Sequence, residues 1–447
     1  MSKKLLVAAV VAILTFGATM AMATESRIEN LGAQGLYLMD DTNIFTNPAT
    51  EAYYAKVLRL HMGGMGSYYG IDADMWAYGG GTMALGEAIT FGVFFARNPG
   101  FEMGGIGRVI GDAVDGGFFY PYFTYDPDGV PNSGDEVPFA NNAVIDWMNP
   151  FDVILAYKMG DFALGISYYL ANGKIDAKDD LADNEYVARS FLHSLKIGMS
   201  LKMGNMKPEA WFHWDPFSMK TKYTSDHDTP FGSLTENLTG NKFQLGARLF
   251  YNMNDNLAIV PAIVWENVSA KLKMDSDDPD IGLDNLGQGY KYNSIETGVS
   301  AQYKADKLFL VGSLGLRWSK FDLNLDMDHS KFEDNYSDRL FAVPVAAMGL
   351  EYQATKLITF RGGINTTAVW AAEKLAEDAK DDSGAKLVDN SELVTEQQTV
   401  ASIGCGLNFG NLIIDATFGN FVLVGENGGV IGSGPNMFSA LDAKYVF

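Results

Sequence analysis

Between Lys291 and Ser319 the residues sort into two faces when read alternately. Ile295, Thr297, Val299, Ala301 and Tyr303 form a mostly apolar list, and Glu296, Gly298, Ser300, Gln302 and Lys304 lie between them. After a tight turn at Ala305-Asp306, Leu308, Leu310, Gly312, Leu314, Leu316 and Trp318 alternate with Lys307, Phe309, Val311, Ser313, Gly315, Arg317 and Ser319. A period of two is the signature of a strand with one apolar face. Each run exceeds the ~5–6 residues usual in soluble strands. It reaches the ~9–11 residues a tilted strand needs to cross a bilayer. The stretch reads as a transmembrane β-hairpin.

The pattern recurs along the chain. Leu58, Leu60 and Met62 oppose Arg59 and His61 in the first strand, Val57 to Ser67. Asp72–Ala84 pairs with Ile89–Arg97, and Asp152–Met159 with Phe162–Leu170 across Gly160-Asp161. Phe191–Met203 turns at Gly204-Asn205 into Pro208–Phe217, and Phe243–Tyr251 turns at Asn254-Asp255 into Leu257–Val268. Leu340–Tyr352, Leu357–Thr366, Val400–Phe409, Leu412–Phe418 and Met437–Phe447 complete the series. Tight turns of Gly, Asn and Asp alternate with long polar connections: Asn98–Asn142, Ala171–Arg189, Ser218–Asn241, Ser269–Gly289, Asp322–Asp338, Ala368–Gln398 and Asn420–Pro435. Short turns on one side and longer loops on the other are the habit of outer-membrane barrels. The count is about 16 strands, with about 14 left open by weak segments near Ser67–Ile71 and Phe418–Val424; both are even, as such barrels require. A strand edge facing lipid would leave peptide groups unpaired at several kcal/mol each, so the sheet must close. The expected fold is all-β: a closed antiparallel transmembrane β-barrel with an N-terminal plug.

Lys3-Lys4, the apolar run Leu5–Gly17 and Ala21-Met22-Ala23 form an export signal, cleaved after Ala23. The expected organisation is signal 1–23, plug 24–54 and barrel 55–447, in the bacterial outer membrane. The formal net charge of −22 disfavours nucleic acid. One cysteine, Cys405, excludes an intrachain disulfide and lies on an apolar strand face. The chain ends on an alternating strand, with Leu441, Ala443, Tyr445 and Phe447 opposing Asp442, Lys444 and Val446. A terminal aromatic of this kind resembles the signal read by the outer-membrane assembly machinery.

Residues 24–54 do not alternate. They contain Asp41-Thr42-Asn43-Ile44-Phe45-Thr46-Asn47-Pro48-Ala49, where Asn-Pro forces an extended or turn geometry. Placed after the signal and before the first strand, this segment resembles the hatch motif of the FadL-like long-chain fatty acid and hydrocarbon transporters. The sequence departs from that family at Thr50-Glu51, where Gly is common, and in its higher strand count. Related secretion-shuttle barrels share the motif. The resemblance implies passive uptake of hydrophobic cargo through a monomeric barrel, with Asn47, Pro48 and Ala49 as hatch residues.

The candidate lumen residues are Arg59, His61, Arg248, Phe250, Glu296, Phe309, Arg317 and Arg361, which mix charge with apolar groups where a general porin is more uniformly polar. Lys196, Glu351 and Asp415 join them as charges, and Val311, Val345 and Ile413 as apolar groups. No cofactor, metal or enzymatic activity is expected. Asp126-Pro127-Asp128-Gly129 with Asp135-Glu136, and Asp275–Asp284, lack the full calcium-loop spacing. Such acidic loops suit cations that bridge lipopolysaccharide. Ala371–Lys380 reads as a short helix within a loop. Two other readings stand beside transport. One is a non-transporting barrel that serves a binding or secretion partner. The other, with less support, is an outer-membrane lipase using Ser190 and His193, although no triad geometry is visible.

Overall fold

The computed structural model describes residues 24–32, 35–63, 76–97, 106, 124–125, 137–138, 148–179, 184–225, 233–276, 286–326, 336–375, 393–424, 430–431 and 440–447. The export signal, the first acidic cluster and the weak strand near Ser67–Ile71 lie outside these residues. Sixteen strands form the wall: β1 (Val57–Gly63), β2 (Trp76–Leu85), β3 (Ile89–Phe95), β4 (Met148–Met159), β5 (Phe162–Asp179), β6 (Asn184–Leu201), β7 (Met206–Ser225) and β8 (Ser233–Asn252) make the first half. The second half is β9 (Leu257–Ser276), β10 (Leu286–Ala305), β11 (Leu308–Asp326), β12 (Tyr336–Gln353), β13 (Ile358–Leu375), β14 (Leu393–Asn408), β15 (Leu412–Val424) and β16 (Ala440–Val446). Each strand pairs antiparallel with its neighbours, and the ring closes where β1 meets β16, Val57 opposite Val446 and Gly63 opposite Ala440. Val430–Ile431 adds a two-residue pairing at the far end of β15. The count of about 14–16 resolves to sixteen, and the segment near Phe418–Val424 is the end of β15.

The outward face is greasy, as the alternation requires. Leu58, Ile197, Leu245, Ile263, Val299, Leu314 and Ile403 are all exposed on it. Two belts of exposed aromatics bound this band. Tyr157, Tyr251, Tyr303, Tyr352 and Tyr445 stand near the tight turns; Tyr168, Trp214, Trp265, Phe341 and Trp370 stand near mid-strand. On β13 the belts are ten positions apart, Phe360 to Trp370. At ~3.4 Å per residue and a tilt of ~40°, that is a rise of about 26 Å, the height of the apolar band of such barrels. The wall is membrane-spanning.

The strands run on past the upper belt. Most of Ala171–Arg189, Ser218–Asn241, Ser269–Gly289 and Asp322–Asp338, expected as loops, is ladder in β5–β12. Above the belt water wets the outer face, so hydrogen-bond pairing persists while the apolar list lapses. For the same reason Ala371 and Ala372 belong to β13, paired with Val394 and Leu393, and not to a helix. Gly160 and Gly204 close two tight turns at φ of 60° and 59°, where a side chain would strain the backbone. The turn after β10 falls one residue later than expected, with Asp306 at φ 45°.

Residues 24–54 form a helix, α1 (Glu25–Asn30), and three 3₁₀ turns at Gly35–Tyr37, Asp41–Phe45 and Pro48–Tyr53. The Thr24 hydroxyl accepts from Arg27 N at the start of α1, and the Asn47 side chain accepts from Ala49 N at the last turn. Pro48 sits at the first position of that turn, where no backbone N–H is needed.

Candidate functional site

The N-terminal segment bonds to inward-facing residues around the whole ring, so it lies in the lumen. Thr24 donates to Asp415 on β15 at 2.8 Å, Ser26 N to Asp442 on β16 at 2.8 Å, and Asn30 to the Ala416 carbonyl at 3.0 Å. Across the barrel, Lys196 on β6 donates to the Phe45 carbonyl and His213 Nε2 on β7 to the Thr46 carbonyl, each at 2.6 Å. Arg248 on β8 reaches the Leu36 carbonyl at 3.1 Å while pairing with Glu209 at 2.8 Å.

Charge ties segment and wall together. Arg27 and Arg361 share Glu351 Oε2, each at 2.7 Å, and Arg361 also pairs with Asp415. Asp41, fully buried, pairs with Arg59 on β1 at 2.7 Å and with Lys444 on β16. Burial pushes the Asp41 carboxyl up, but these two cations prevail and hold it below the usual carboxylate range. The adjacent Asp40 is raised by burial and by the Asp41 charge. His61 Nδ1 stands 2.9 Å from Asp442, and its Nε2 3.5 Å from Glu25.

The wall makes room with glycine. A Cβ on Gly165 would overlap Pro48, one on Gly198 the Asn47 side chain, and one on Gly363 the Leu31–Gly32 backbone. Gly198→Val is therefore expected to shift the segment from its seat and cost about 1–3 kcal/mol, the usual toll of overpacking. Thermal unfolding and protease access to residues 24–54 are the checks. Unchanged values would show that the seat is not tight.

Above the segment the lumen changes character twice. Halfway up, a polar collar spans five strands. Lys242 lies 2.9 Å from Asp215 and 3.9 Å from Glu266, Gln244 donates to Glu266 at 3.2 Å, and Arg317 Nε donates to Glu296 at 2.8 Å. From mid-strand outward, the inner face of β5–β11 is largely apolar among the described residues, with Glu236, which accepts from Thr221, and Gln288, which accepts from Tyr290, as buried polar groups within it. Tyr169, Leu192, Phe217, Leu238, Val268, Leu272, Tyr290 and Phe321 form one buried cluster. Ile106, from the connection between β3 and β4, packs into it.

All eight lumen candidates face inward, but to different neighbours. Arg59, His61, Arg248 and Arg361 hold or adjoin the segment. Phe250 lies under Arg248 and Lys207. Phe309 packs beside Leu31 and Leu38, with Arg27 5.3 Å from its ring centre. Glu296 and Arg317 belong to the collar. Asn47, Pro48 and Ala49 are buried against β5 and β6, with Asn47 donating to the Met199 carbonyl at 3.2 Å. Sequence reasoning missed Arg27, Asp41 and Glu25, whose partners are remote. It also missed Asp442 and Lys444, whose alternation in the last strand already marked them as inward.

The lipase geometry fails. Ser190 is buried on the inner face of β6, whereas His193 is on the outer face and bonds Tyr168. Among the described residues, no group of His, Cys, Asp or Glu is arranged to hold a metal ion.

No family model matches the sequence, and no curated protein matches it. Among solved structures it is similar to the Pseudomonas putida toluene transporter TodX, at 10% identity and TM-score 0.38 over 95% of this chain and 96% of that one. A Pseudomonas aeruginosa FadL homologue matches at 15% identity and TM-score 0.40, covering 95% and 98%. CdiB from Escherichia coli matches at 12% and 0.41, covering 88% of this chain and 63% of its own. Each is a likeness of barrels and extends to nothing further.

Proposed function

We propose that this chain carries hydrophobic compounds passively across the bacterial outer membrane, long-chain fatty acids among them, with residues 24–54 as the plug. The largely apolar inner face of β5–β11 carries the reading. A water-filled porin lines its lumen with polar groups. Here Phe217, Leu238, Leu272 and Phe321 face inward above a polar collar. Burying apolar surface is worth about 25 cal/mol per Å², so an acyl chain or hydrocarbon gains on entering such a chamber and a sugar does not. Below the collar the plug stops free diffusion, and cargo passes only as the plug yields.

The test is uptake into liposomes holding the protein. Oleate is expected to enter and small sugars to stay out. Phe217→Asp with Leu272→Asp should cut oleate uptake about tenfold, the equivalent of ~1.4 kcal/mol of binding, while β-sheet circular dichroism persists. Free passage of sugars without oleate uptake would overturn the reading.

A further inference from the structure

We propose that the outward face of β6–β10, on the long-connection side of the upper aromatic belt, binds the phosphate groups of outer-leaflet lipopolysaccharide. This surface lies outside the barrel and does not depend on what the lumen carries. Arg189, Lys220, Lys222, Lys271, Lys273 and Lys291 are all exposed on that face. Among the described residues, two exposed acids, Glu185 and Asp275, share it. The excess of cations runs against a chain whose formal net charge is −22.

The register makes the group one belt. Arg189 stands directly opposite Lys220, and Lys220 and Lys273 flank Asn237 from either side. Lys291 faces Ser269, one pleat from Lys271. Four strand spacings of ~4.8 Å give the belt a width of about 19 Å. Like charges directly opposite on a sheet repel. Among the described residues none of the six has an ionic partner. A counter-anion from outside the chain would relieve that repulsion.

Height selects the anion. Arg189 is two residues beyond Phe191, and Lys271 six beyond Trp265, both exposed aromatics of the outer face. The tight turns and both ends of the ring lie on the opposite side, which is the periplasmic side of such barrels. Long Lys and Arg stems bend back toward the interface with their heads in the polar layer. They therefore reach the zone of the outer leaflet's phosphorylated headgroups. The tight-turn side is more evenly mixed: among the described residues exposed there, Glu87, Asp161, Asp255 and Asp306 are interspersed with Lys56, Lys158, Lys202, Lys304, Lys307 and Lys356.

The test compares lipid A, its dephosphorylated form and inorganic phosphate as ligands of the detergent-purified full-length protein, by Trp fluorescence titration at two salt concentrations. Lipid A should bind about tenfold tighter than the dephosphorylated form, and less tightly at high salt. The quadruple variant Arg189→Gln, Lys220→Gln, Lys222→Gln and Lys273→Gln should lose that preference. A turn-side variant, Lys56→Gln, Lys202→Gln, Lys307→Gln and Lys356→Gln, should keep it. Equal binding of the two lipids by the unaltered protein overturns the proposal, whether or not the quadruple variant folds. So does competition by inorganic phosphate at the same concentration as lipid A, which would assign the belt to free anions.

Discussion

Asp41→Ala is expected to unseat the N-terminal segment and open the barrel to ions. Asp41 has no exposed surface and is shared by Arg59 and Lys444. Removing it leaves two buried cations facing each other, and removing one partner of a buried ionic group typically costs 3–5 kcal/mol or so. That loss falls on the contact between the segment and the wall, since Arg59 and Lys444 lie on β1 and β16 and the barrel's own ladder is untouched. In planar bilayers the variant should conduct where the unaltered protein is nearly closed, and a protease should reach residues 24–54. The triple variant Asp41→Leu, Arg59→Met, Lys444→Met removes charge from all three and should recover much of the lost seating, because an apolar set of similar volume needs no desolvation of ions. Unchanged conductance in Asp41→Ala would show that other contacts alone hold the segment.

The wall could be read from the sequence because the membrane writes it there. Lipid on one side and lumen on the other force Ile295, Val299 and Tyr303 to alternate with Glu296, Gly298 and Ser300, and both lists face as expected. The rule stops where lipid stops. Above the aromatic belt Lys220 and Lys222 take the outward positions of β7, and its ladder looks like loop in the sequence. The apolar inner cluster was hidden for the same reason: Leu238 and Leu272 lie in polar stretches whose inward position shows only once the register is known. The segment's anchors were hidden differently. Asp41 and Lys444 are separated by almost the whole chain, and a short loop motif carries no sign of which wall residue will meet it. Gly198 and Gly363 have no side chain to distinguish them in the sequence, although they mark where the segment presses on the wall.

Alkaline pH is expected to loosen the same segment through Glu51. This side chain has no exposed surface, and neither of its carboxylate oxygens has a hydrogen-bond partner among the described residues. Burial, helped by the Asp152 charge and opposed by Arg59, pushes its carboxyl up to about 8. An acid that holds its proton longer in the seated state than in the free one loses stability as pH rises. The loss begins above the ordinary Glu value of ~4.3 and is complete once pH passes the seated value. A displacement of this size corresponds to several kcal/mol on the order-of-magnitude scale of ~1.4 per unit. Asp41 works in the opposite sense. Its carboxyl is held low, so its contribution is present above the ordinary Asp value and fades as pH falls through the seated one. Seating should therefore be strongest in mild acid, weaken steadily from about pH 5 to about pH 8 and fail again in strong acid. Glu51→Gln keeps the shape and removes this titration, so its protease resistance should fall less steeply as pH rises, the remaining slope coming from Asp40, whose carboxyl is also raised by burial. If Glu51→Gln loses resistance between about pH 5 and about pH 8 as steeply as the unaltered protein, Glu51 is not the group that senses alkali.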